Sequence, residues 1–175
     1  MSAVTEDSIL VKKIVSNFRG DVLKTTIFRN EVTHLVSVSA LTSICDFLKT
    51  DRELGMNYLV DVVGVDYITE TPRFEVVYHL YSLAKKHRIR LKVRVGDGES
   101  VPSVTHIWSG ANWPEREAYD MFGIVFTGHP DLRRIYMAED WEGFPLRKDF
   151  PLRGYKDQFN PFGEERAEKW SPGVK

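Results

Sequence analysis

Cysteine is almost missing from this chain of 175 residues, in which Cys45 is the single example. One thiol excludes a disulfide framework, a zinc site built from cysteines, and an iron–sulfur cluster held by this chain alone. Cys45 shares an apolar stripe of helical spacing with Leu41, Ile44 and Leu48. We therefore interpret Cys45 as a core residue rather than a reactive one.

Long apolar runs and an excess of charge are missing as well. No apolar run approaches the roughly 18 residues of a membrane-spanning helix, and no basic stretch precedes an apolar one near the start. We expect neither a membrane anchor nor a signal peptide. The 24 Lys+Arg residues nearly match the 25 Asp+Glu residues, for a formal net charge of −1. This balance gives no general attraction to nucleic acid or to anionic lipid.

The motifs of common active sites are also missing, since there is no GxGxxG, no phosphate-binding glycine loop and no nucleophile elbow. Glu115, Glu117 and Asp120 could form an acid–base group, but carboxylates two residues apart on a helix point in different directions. We favour first-turn anions and a paired aspartate. His129 precedes Pro130, and we interpret it as a hydrogen-bonded loop residue rather than a ligand.

What the sequence does contain predicts a small body of the α+β class. The class would combine a small mixed or antiparallel sheet, flanking helices and a long extended C-terminal segment. We interpret the nearly continuous apolar run at residues 58–65 as a central strand buried on both faces. The predicted helices are residues 7–18, 41–48 (capped by Ser39) and 103–110, and the predicted strands are residues 22–28, 32–38, 58–65, 74–81 and 88–95.

The last predicted strand carries four cations on one face: Arg88, Arg90, Lys92 and Arg94. A nucleic-acid platform would interleave aromatic side chains with such a row, and none occurs within it. We favour a solvated face or a charge-protected edge strand, and docking of a partner remains the alternative.

The stretch after residue 110 predicts another short helix. We expect Asn112 or Trp113 to cap its start and Gly123 to end it. Arg116 and Asp120 stand four residues apart, so we expect them to form an ion pair.

From residue 128 onward the composition changes, and we divide the chain into an α/β body at 1–127 and an extended arm at 128–175. The arm holds five of the eight prolines and eight aromatic residues without any helical or strand period. Disordered tails are poor in aromatic residues, so this arm should be ordered by lying on its own domain and on another chain. Arginines next to aromatic residues are typical of interface cores, which favours docking over a solvated charge cluster.

The sequence also resembles a known family. Two stretches carry the resemblance: WPEREAYDMFGIVFTGHPDLRRI and WEGFPLRKDFPL. They are similar to the signature of the C-type subunit, also called the 30-kDa subunit, of proton-pumping NADH:quinone oxidoreductase, respiratory complex I. Gly64-Val65-Asp66 and the strands at residues 74–95 also resemble the body of that family.

The resemblance implies a non-catalytic peripheral-arm subunit on the cytoplasmic side of the membrane, attached only through the complex. It implies that FMN and the iron–sulfur clusters lie in partner subunits and that this chain binds no cofactor, metal or nucleic acid. The implied partners are subunits of the D (49-kDa) and B (20-kDa) types. Together, composition and resemblance assign partner binding to Glu115, Arg116, Glu117, Asp120, His129, Arg133, Arg134, Trp141, Arg147, Lys148 and Asp149.

Two alternatives stay open at this point. The chain could be the equivalent subunit of a related membrane-bound hydrogenase or ferredoxin-dependent dehydrogenase. It could also be a stand-alone hydrolase that uses Glu115, Glu117 and His129, although no nucleophile motif accompanies them. Because the sequence stops at Lys175, we expect the form in which the 30-kDa subunit is not fused to the 49-kDa one.

Overall fold

The computed structural model describes residues 8–156 and 160–165 and confirms the α+β class. Three helices flank a five-stranded sheet, and a second sheet has two short strands. The helices are α1 (Ile9–Asn17), α2 (Leu41–Thr50) and α3 (Asn112–Phe122), and a 3₁₀ turn at Ser109–Ala111 precedes α3. The strands are β1 (Val22–Phe28), β2 (Glu31–Val36), β3 (Tyr58–Asp66), β4 (Phe74–Ser82), β5 (His87–Val95), β6 (Ser100–Pro102) and β7 (Val125–Thr127).

The main sheet has the strand order β1-β2-β5-β4-β3. The predicted hairpin of β1 and β2 and the predicted meander of β3, β4 and β5 are both confirmed as antiparallel pairs. β2 and β5 run parallel, which joins the hairpin to the meander and makes the sheet mixed. β6 and β7 form a separate parallel pair beside α3.

The prediction that residues 58–65 form a central strand was wrong, because β3 lies at the end of the sheet. Leu59 and Val62 face the core, whereas Val60 is 52% exposed. Helix α3 packs close to this strand at Gly64, where an added Cβ would lie only 2.7 Å from the Phe122 ring. β3 is therefore covered on one face only, and Val60 and Val63 extend the apolar run on its exposed face.

The cation row on β5 lies on the uncovered face of the sheet, so of the two favoured interpretations only the edge strand was wrong. β5 is central rather than an edge strand, and three of its cations are paired with carboxylates on the same sheet face or its loop. The pairs are Arg90 with Glu31 (2.8 Å), Lys92 with Glu75 (2.7 Å) and Arg94 with Glu70 (2.6 Å). The alternating charges thus stabilise the uncovered face of the sheet by cross-strand pairing.

The hydrophobic core lies on the other face of the sheet, beneath the helices. Cys45 is fully buried there, as the helical spacing predicted, and burial raises the pKa of its thiol. His34 on β2 ties α1 to the sheet, since its Nε2–H donates to the carbonyl of Leu10 (3.2 Å) and its Nδ1 accepts from the Thr25 hydroxyl (2.8 Å). Burial lowers the pKa of His34.

Three local predictions about helices were wrong: two about their starts and one about the extent of a helix. Ser39 does not cap α2, because Ala40 holds the cap position and the Ser39 hydroxyl bonds to Ser37. Neither predicted residue caps α3 with its side chain, because the 3₁₀ turn runs directly into the helix and its Ser109 carbonyl accepts the N–H of Asn112. Residues 103–110 are not one helix, since only the 3₁₀ turn at their end is helical.

The predicted end of α3 is confirmed. Gly123 adopts the left-handed conformation with a φ of 76°, and its N–H donates to the carbonyl of Tyr119 at 2.8 Å. This conformation favours glycine because it has no Cβ. Across residues 8–156 and 160–165, no helix combines the length and the apolar character needed to cross a bilayer.

Candidate partner-docking site

The buried carboxylate of Asp120 on α3 organises the chain that follows β7. Its Oδ2 accepts the backbone N–H groups of three successive residues: Ile135 (3.0 Å), Tyr136 (2.7 Å) and Met137 (3.0 Å). Its Oδ1 accepts from Nη1 of Arg134 at 2.7 Å. Burial acts to raise the pKa of Asp120, but these N–H donors outweigh it and lower the pKa below its usual value.

Arg134 bonds to both Asp120 and the backbone of the residues that follow it. Besides its ion pair with Asp120, its Nη2 donates to the carbonyls of Trp141 and Gly143, both at 3.1 Å. Its guanidinium also lies 5.3 Å from the centre of the Phe144 ring. Residues 134–143, which we call the Asp120 loop, therefore hold an irregular shape through bonds to one aspartate and one arginine.

Arg116 supports the entry to the Asp120 loop. Its Nε donates to the carbonyl of Arg133 (3.1 Å) and its Nη2 to the carbonyl of Arg134 (3.3 Å), and it lies over the Trp113 ring at 4.8 Å. The predicted pairing of Arg116 with Asp120 was wrong, because the oxygens of Asp120 are occupied by Arg134 and the loop N–H groups.

Glu115 is fully buried one position before Arg116 and holds the chain after β6. Its Oε2 accepts from the Ser103 hydroxyl (2.6 Å), and its Oε1 accepts from the N–H of Val104 (2.8 Å). Burial raises the pKa of Glu115 to about 7, although both hydrogen bonds act in the opposite direction. This carboxyl is therefore a structural link between α3 and the β6–α3 connection.

Arg73, directly before β4, joins residues 148 and 149 to the main sheet. It makes two hydrogen bonds to Asp66 on β3, both at 2.7 Å, and two to Asp149, at 3.0 and 2.9 Å. Oδ2 of Asp66 also accepts the N–H of Lys148 at 2.8 Å. The Arg73 guanidinium lowers the pKa values of both Asp66 and Asp149.

Arg147 makes a second attachment of the same segment. It pairs with Asp97 through two bonds of 3.0 Å, and its Nε donates to the carbonyl of Phe122 at 2.6 Å. Its guanidinium lies 4.9 Å from the centre of the Phe74 ring and 4.6 Å from that of Phe144. Residues 144–150, which we call the clamped segment, are thus fixed across one end of the neighbouring strands β3, β4 and β5.

His129 is a hydrogen-bonded loop residue, as predicted. Its Nδ1 accepts the N–H of Asp131 at 3.0 Å, so the other nitrogen carries the proton. That Nε2–H donates to the carbonyl of Asn112 at 3.1 Å, which joins the loop to the start of α3.

The Asp120 loop and its surroundings present large apolar side chains to solvent. Trp113 is 63% exposed and Tyr136 is 62% exposed, and Trp141 and Leu146 are also exposed. Large apolar side chains held in a fixed arrangement at the surface are typical of protein-binding sites. This surface is the candidate docking site.

The predicted partner-binding residues divide into three sets by their exposure. Glu115, Arg116 and Asp120 are buried and bonded within the chain, so any contribution they make to docking acts through the segment they hold. His129, Arg134 and Arg147 also make internal bonds and are only partly exposed. Glu117, Arg133, Trp141, Lys148 and Asp149 are exposed, and their contact with a partner stays a prediction.

Sequence reasoning missed three residues that hold the clamped segment: Asp66, Arg73 and Asp97. In the sequence, Asp66 directly follows the apolar run at residues 58–65, and Asp97 stands between two glycines. Their partners lie 50 to 82 positions away in the sequence, at Arg147, Lys148 and Asp149. No local pattern carries such a signal.

The division of the chain at residue 127 stays a prediction. Residues 134–150 are bonded to α3 and to the main sheet by the ion pairs above. After the clamped segment, Leu152 and Phe162 are exposed. Residues 157–159 and 166–175 of the predicted arm lie outside the described residues.

Metal ligands are not clustered in the part of the chain that the structure describes. No group of three or more His, Cys, Asp or Glu side chains there could hold a metal ion. The carboxylates near α3 are instead bonded to arginines, to a serine hydroxyl and to backbone N–H groups.

Comparison of the sequence with known proteins gives consistent matches to one family. The family described as respiratory-chain NADH dehydrogenase, 30 Kd subunit, matches residues 34–156. The C 2 subunit of NADH-quinone oxidoreductase from Rhizobium meliloti (strain 1021) is 52% identical over 169 residues, covering 97% of this chain and 93% of that protein. The C 2 subunit from Rhizobium etli (strain CIAT 652) is 62% identical over 134 residues, covering 77% and 72%. The C-type subunit from Roseiflexus sp. (strain RS-1) is 43% identical over 171 residues, covering 97% and 98%.

Fold and site together define a class of protein: a small α+β domain in which residues 144–150 are clamped across the ends of three strands and fixed aromatic side chains are exposed nearby. The matched residues include β3 to β7, α3, the Asp120 loop and the clamped segment. The chain belongs to the family of the 30-kDa subunit of respiratory-chain NADH dehydrogenase.

Proposed function

We propose that this chain is the C-type, 30-kDa subunit of a proton-pumping NADH:quinone oxidoreductase, in which it serves as a non-catalytic subunit of the peripheral arm. Its role is to hold neighbouring redox subunits in place while electrons pass from NADH through iron–sulfur clusters to quinone. The observation that carries the proposal is the Asp120 loop, where a buried carboxylate fixes the backbone beneath exposed Tyr136. A rigid loop with exposed aromatic side chains loses little conformational entropy on docking.

The partners in this proposal are subunits of the D (49-kDa) and B (20-kDa) types. FMN and the iron–sulfur clusters belong to partner subunits, and this chain stays on the cytoplasmic side, held to the membrane through the complex. The chain's only thiol supports this division, since Cys45 is buried in the core and its pKa is raised, so the thiolate needed by a cluster is disfavoured.

Both alternatives receive less support. The three relatives are all named as C-type subunits of NADH-quinone oxidoreductase, which does not favour a hydrogenase assembly. A stand-alone hydrolase would need Glu115 and His129 accessible to substrate. Glu115 is instead buried against Ser103, and both ring nitrogens of His129 are bonded to backbone groups.

Purification of the tagged full-length chain from its own cells tests the proposal. We expect the chain to co-purify with iron–sulfur subunits and with NADH:quinone oxidoreductase activity, and the activity to be absent from the chain alone. Recovery in a hydrogenase assembly, or turnover of a small substrate by the isolated chain, would contradict the proposal.

A further inference from the structure

A groove of about 800 Å³ lies between α1 and β1, at the edge of the sheet far from α3. Its floor is apolar, formed mainly by Val11 and Val15 of α1 and Ile27 of β1. Its rim is basic: Lys12, Lys13 and Arg19 line it, and no carboxylate does so among the described lining residues. The floor matches apolar side chains and the rim matches carboxylates.

β1 is an edge strand within the described residues, where it pairs only with β2. Its other edge therefore presents backbone N–H and C=O groups, and Phe28 at its end is 68% exposed. Proteins normally protect such an edge with charge, proline or a covering element. β1 has one charged residue, Lys24, and no proline.

The next strand position beside β1 coincides with the groove, because Thr25 and Ile27 of β1 and the flank of α1 line it together. A strand added there would bond to the β1 backbone and place alternate side chains beneath α1. β1 has seven residues, so the added strand would span about 23 Å at 3.3 Å per residue.

We propose that β1 and the adjoining flank of α1 accept an extended segment of another subunit as a sixth strand of the sheet. The segment has apolar residues at alternate positions, which lie against Val15 and Ile27, and an acidic residue on the same face, which lies near Arg19. Lys13 contributes little attraction, because Asp51 and Glu53 already neutralise it.

This surface is separate from the candidate docking site. β1 is four strands from β3, or about 19 Å at the usual spacing between strands, and α3 lies at the β3 edge. The chain would therefore bridge two neighbours, one at each edge of its sheet. That the occupant is a subunit of the same assembly rests on the proposed function.

Photo-cross-linking in the purified assembly tests the inference. p-Benzoylphenylalanine is placed at Val15 or at Ile27 of the full-length chain, and cross-linked peptides are identified by mass spectrometry. We expect both positions to join the same acidic–apolar segment of one other subunit. Arg19→Glu should lower the yield at Val15 at least fivefold, whereas Lys24→Glu, on the opposite face of β1, should leave it unchanged.

Cross-links only to residues 1–7 of the same chain, only to a second copy of the chain, or to no protein would overturn the inference. A third position, Tyr136, keeps this outcome distinct from failure of the proposed function. Cross-linking at Tyr136 but not at the groove would remove the sixth-strand proposal alone. Absence of cross-links to any other subunit at all three positions would overturn both proposals.

Discussion

Asp120 and Arg134 form a 2.7 Å ion pair in which the aspartate also accepts three successive backbone N–H groups. The pair joins α3 to a loop with no regular secondary structure of its own. An irregular segment leaves backbone groups unpaired, and here one carboxylate satisfies three of them. The exposed aromatic side chains therefore belong to a loop whose backbone is fixed by the buried carboxylate of Asp120.

The first prediction concerns Asp120 itself. Asp120→Asn keeps the side-chain volume but removes the charge and replaces one acceptor oxygen with a donor, leaving Arg134 without its buried partner. We expect the free energy of unfolding to fall by about 3 kcal/mol. Urea unfolding of the full-length chain measures this loss, and amide exchange should rise at residues 135–137.

Glu117→Gln is the matched control for Asp120→Asn. Glu117 lies on the same helix but is exposed, so its substitution should change stability by less than about 0.5 kcal/mol. Equal effects of the two substitutions would show that Asp120 has no special role in the loop.

The second prediction separates Arg133 from Arg134, which sequence reasoning treats alike. Arg133 is 65% exposed and pairs only with the neighbouring Asp131 among the described residues, whereas Arg134 bonds to Asp120 and to two loop carbonyls. Arg133→Ala should leave the isolated chain as stable as wild type and lower its incorporation into the assembly. Arg134→Ala should destabilise the chain itself by about 3 kcal/mol.

Thermal unfolding of the purified chain and native-gel yield of the assembly give the two readouts for these arginines. A loss of chain stability in Arg133→Ala would contradict the assignment of Arg133 to the surface. An unchanged yield of assembly in that variant would remove Arg133 from the docking site.

The elements with a clear local period could be predicted from the sequence, and those defined by tertiary packing could not. The alternation in β4 and β5 and the glycine after α3 predicted two strands and a helix end correctly. The apolar run of β3 was misplaced, because Val60 and Val63 are exposed and their residue types do not show whether a face of the sheet is covered. Arg116 and Asp120 have ideal helical spacing, yet each bonds to the distant loop, where several backbone groups compete for them.

The candidate site was found from composition, but its internal construction was not. Arginines next to aromatic residues marked residues 133–149 as unusual. Which of these side chains face inward depends on Asp66, Arg73 and Asp97, which are far away in sequence.

The third prediction concerns the hold on the clamped segment. Asp97 and Asp149 are each about half exposed, so salt should weaken their pairs with Arg147 and Arg73. Arg147→Lys keeps the charge but loses the two-bond pairing and the contact with the Phe74 ring, at a cost of about 1–2 kcal/mol.

Amide exchange across residues 144–150 measures the hold on this segment. We expect exchange there to accelerate in Arg147→Lys and, in wild type, as salt is raised to about 1 M, where the screening length is about 3 Å. Lys148→Arg is the control, because the Lys148 side chain is exposed and only its backbone N–H bonds to Asp66. Equal acceleration in both variants would mean that Arg147 does not fix the segment.

The fourth prediction is a pH dependence that comes from Glu115. Its pKa is about 7 in the folded chain against 4.5 for an unperturbed glutamate, so the folded state binds the proton more tightly than the unfolded state. The resulting stability is fully present below the unfolded pKa and is lost as pH rises through about 7, by about 3 kcal/mol in total. Glu115→Gln cannot titrate, so it should equal wild type near about pH 4, below the unfolded pKa, and be more stable by about 3 kcal/mol near about pH 8.5.

Urea unfolding of both proteins across this range gives the difference in free energy, which should grow with pH. Taking the difference removes the opposite effect of His34, whose lowered pKa makes both proteins lose stability as pH falls below about 6.5. Glu117→Gln, which changes an exposed carboxylate of the same helix, should follow the wild-type curve. A constant offset between wild type and Glu115→Gln at every pH would contradict the prediction, because it would mean that Glu115 does not change its protonation within the range.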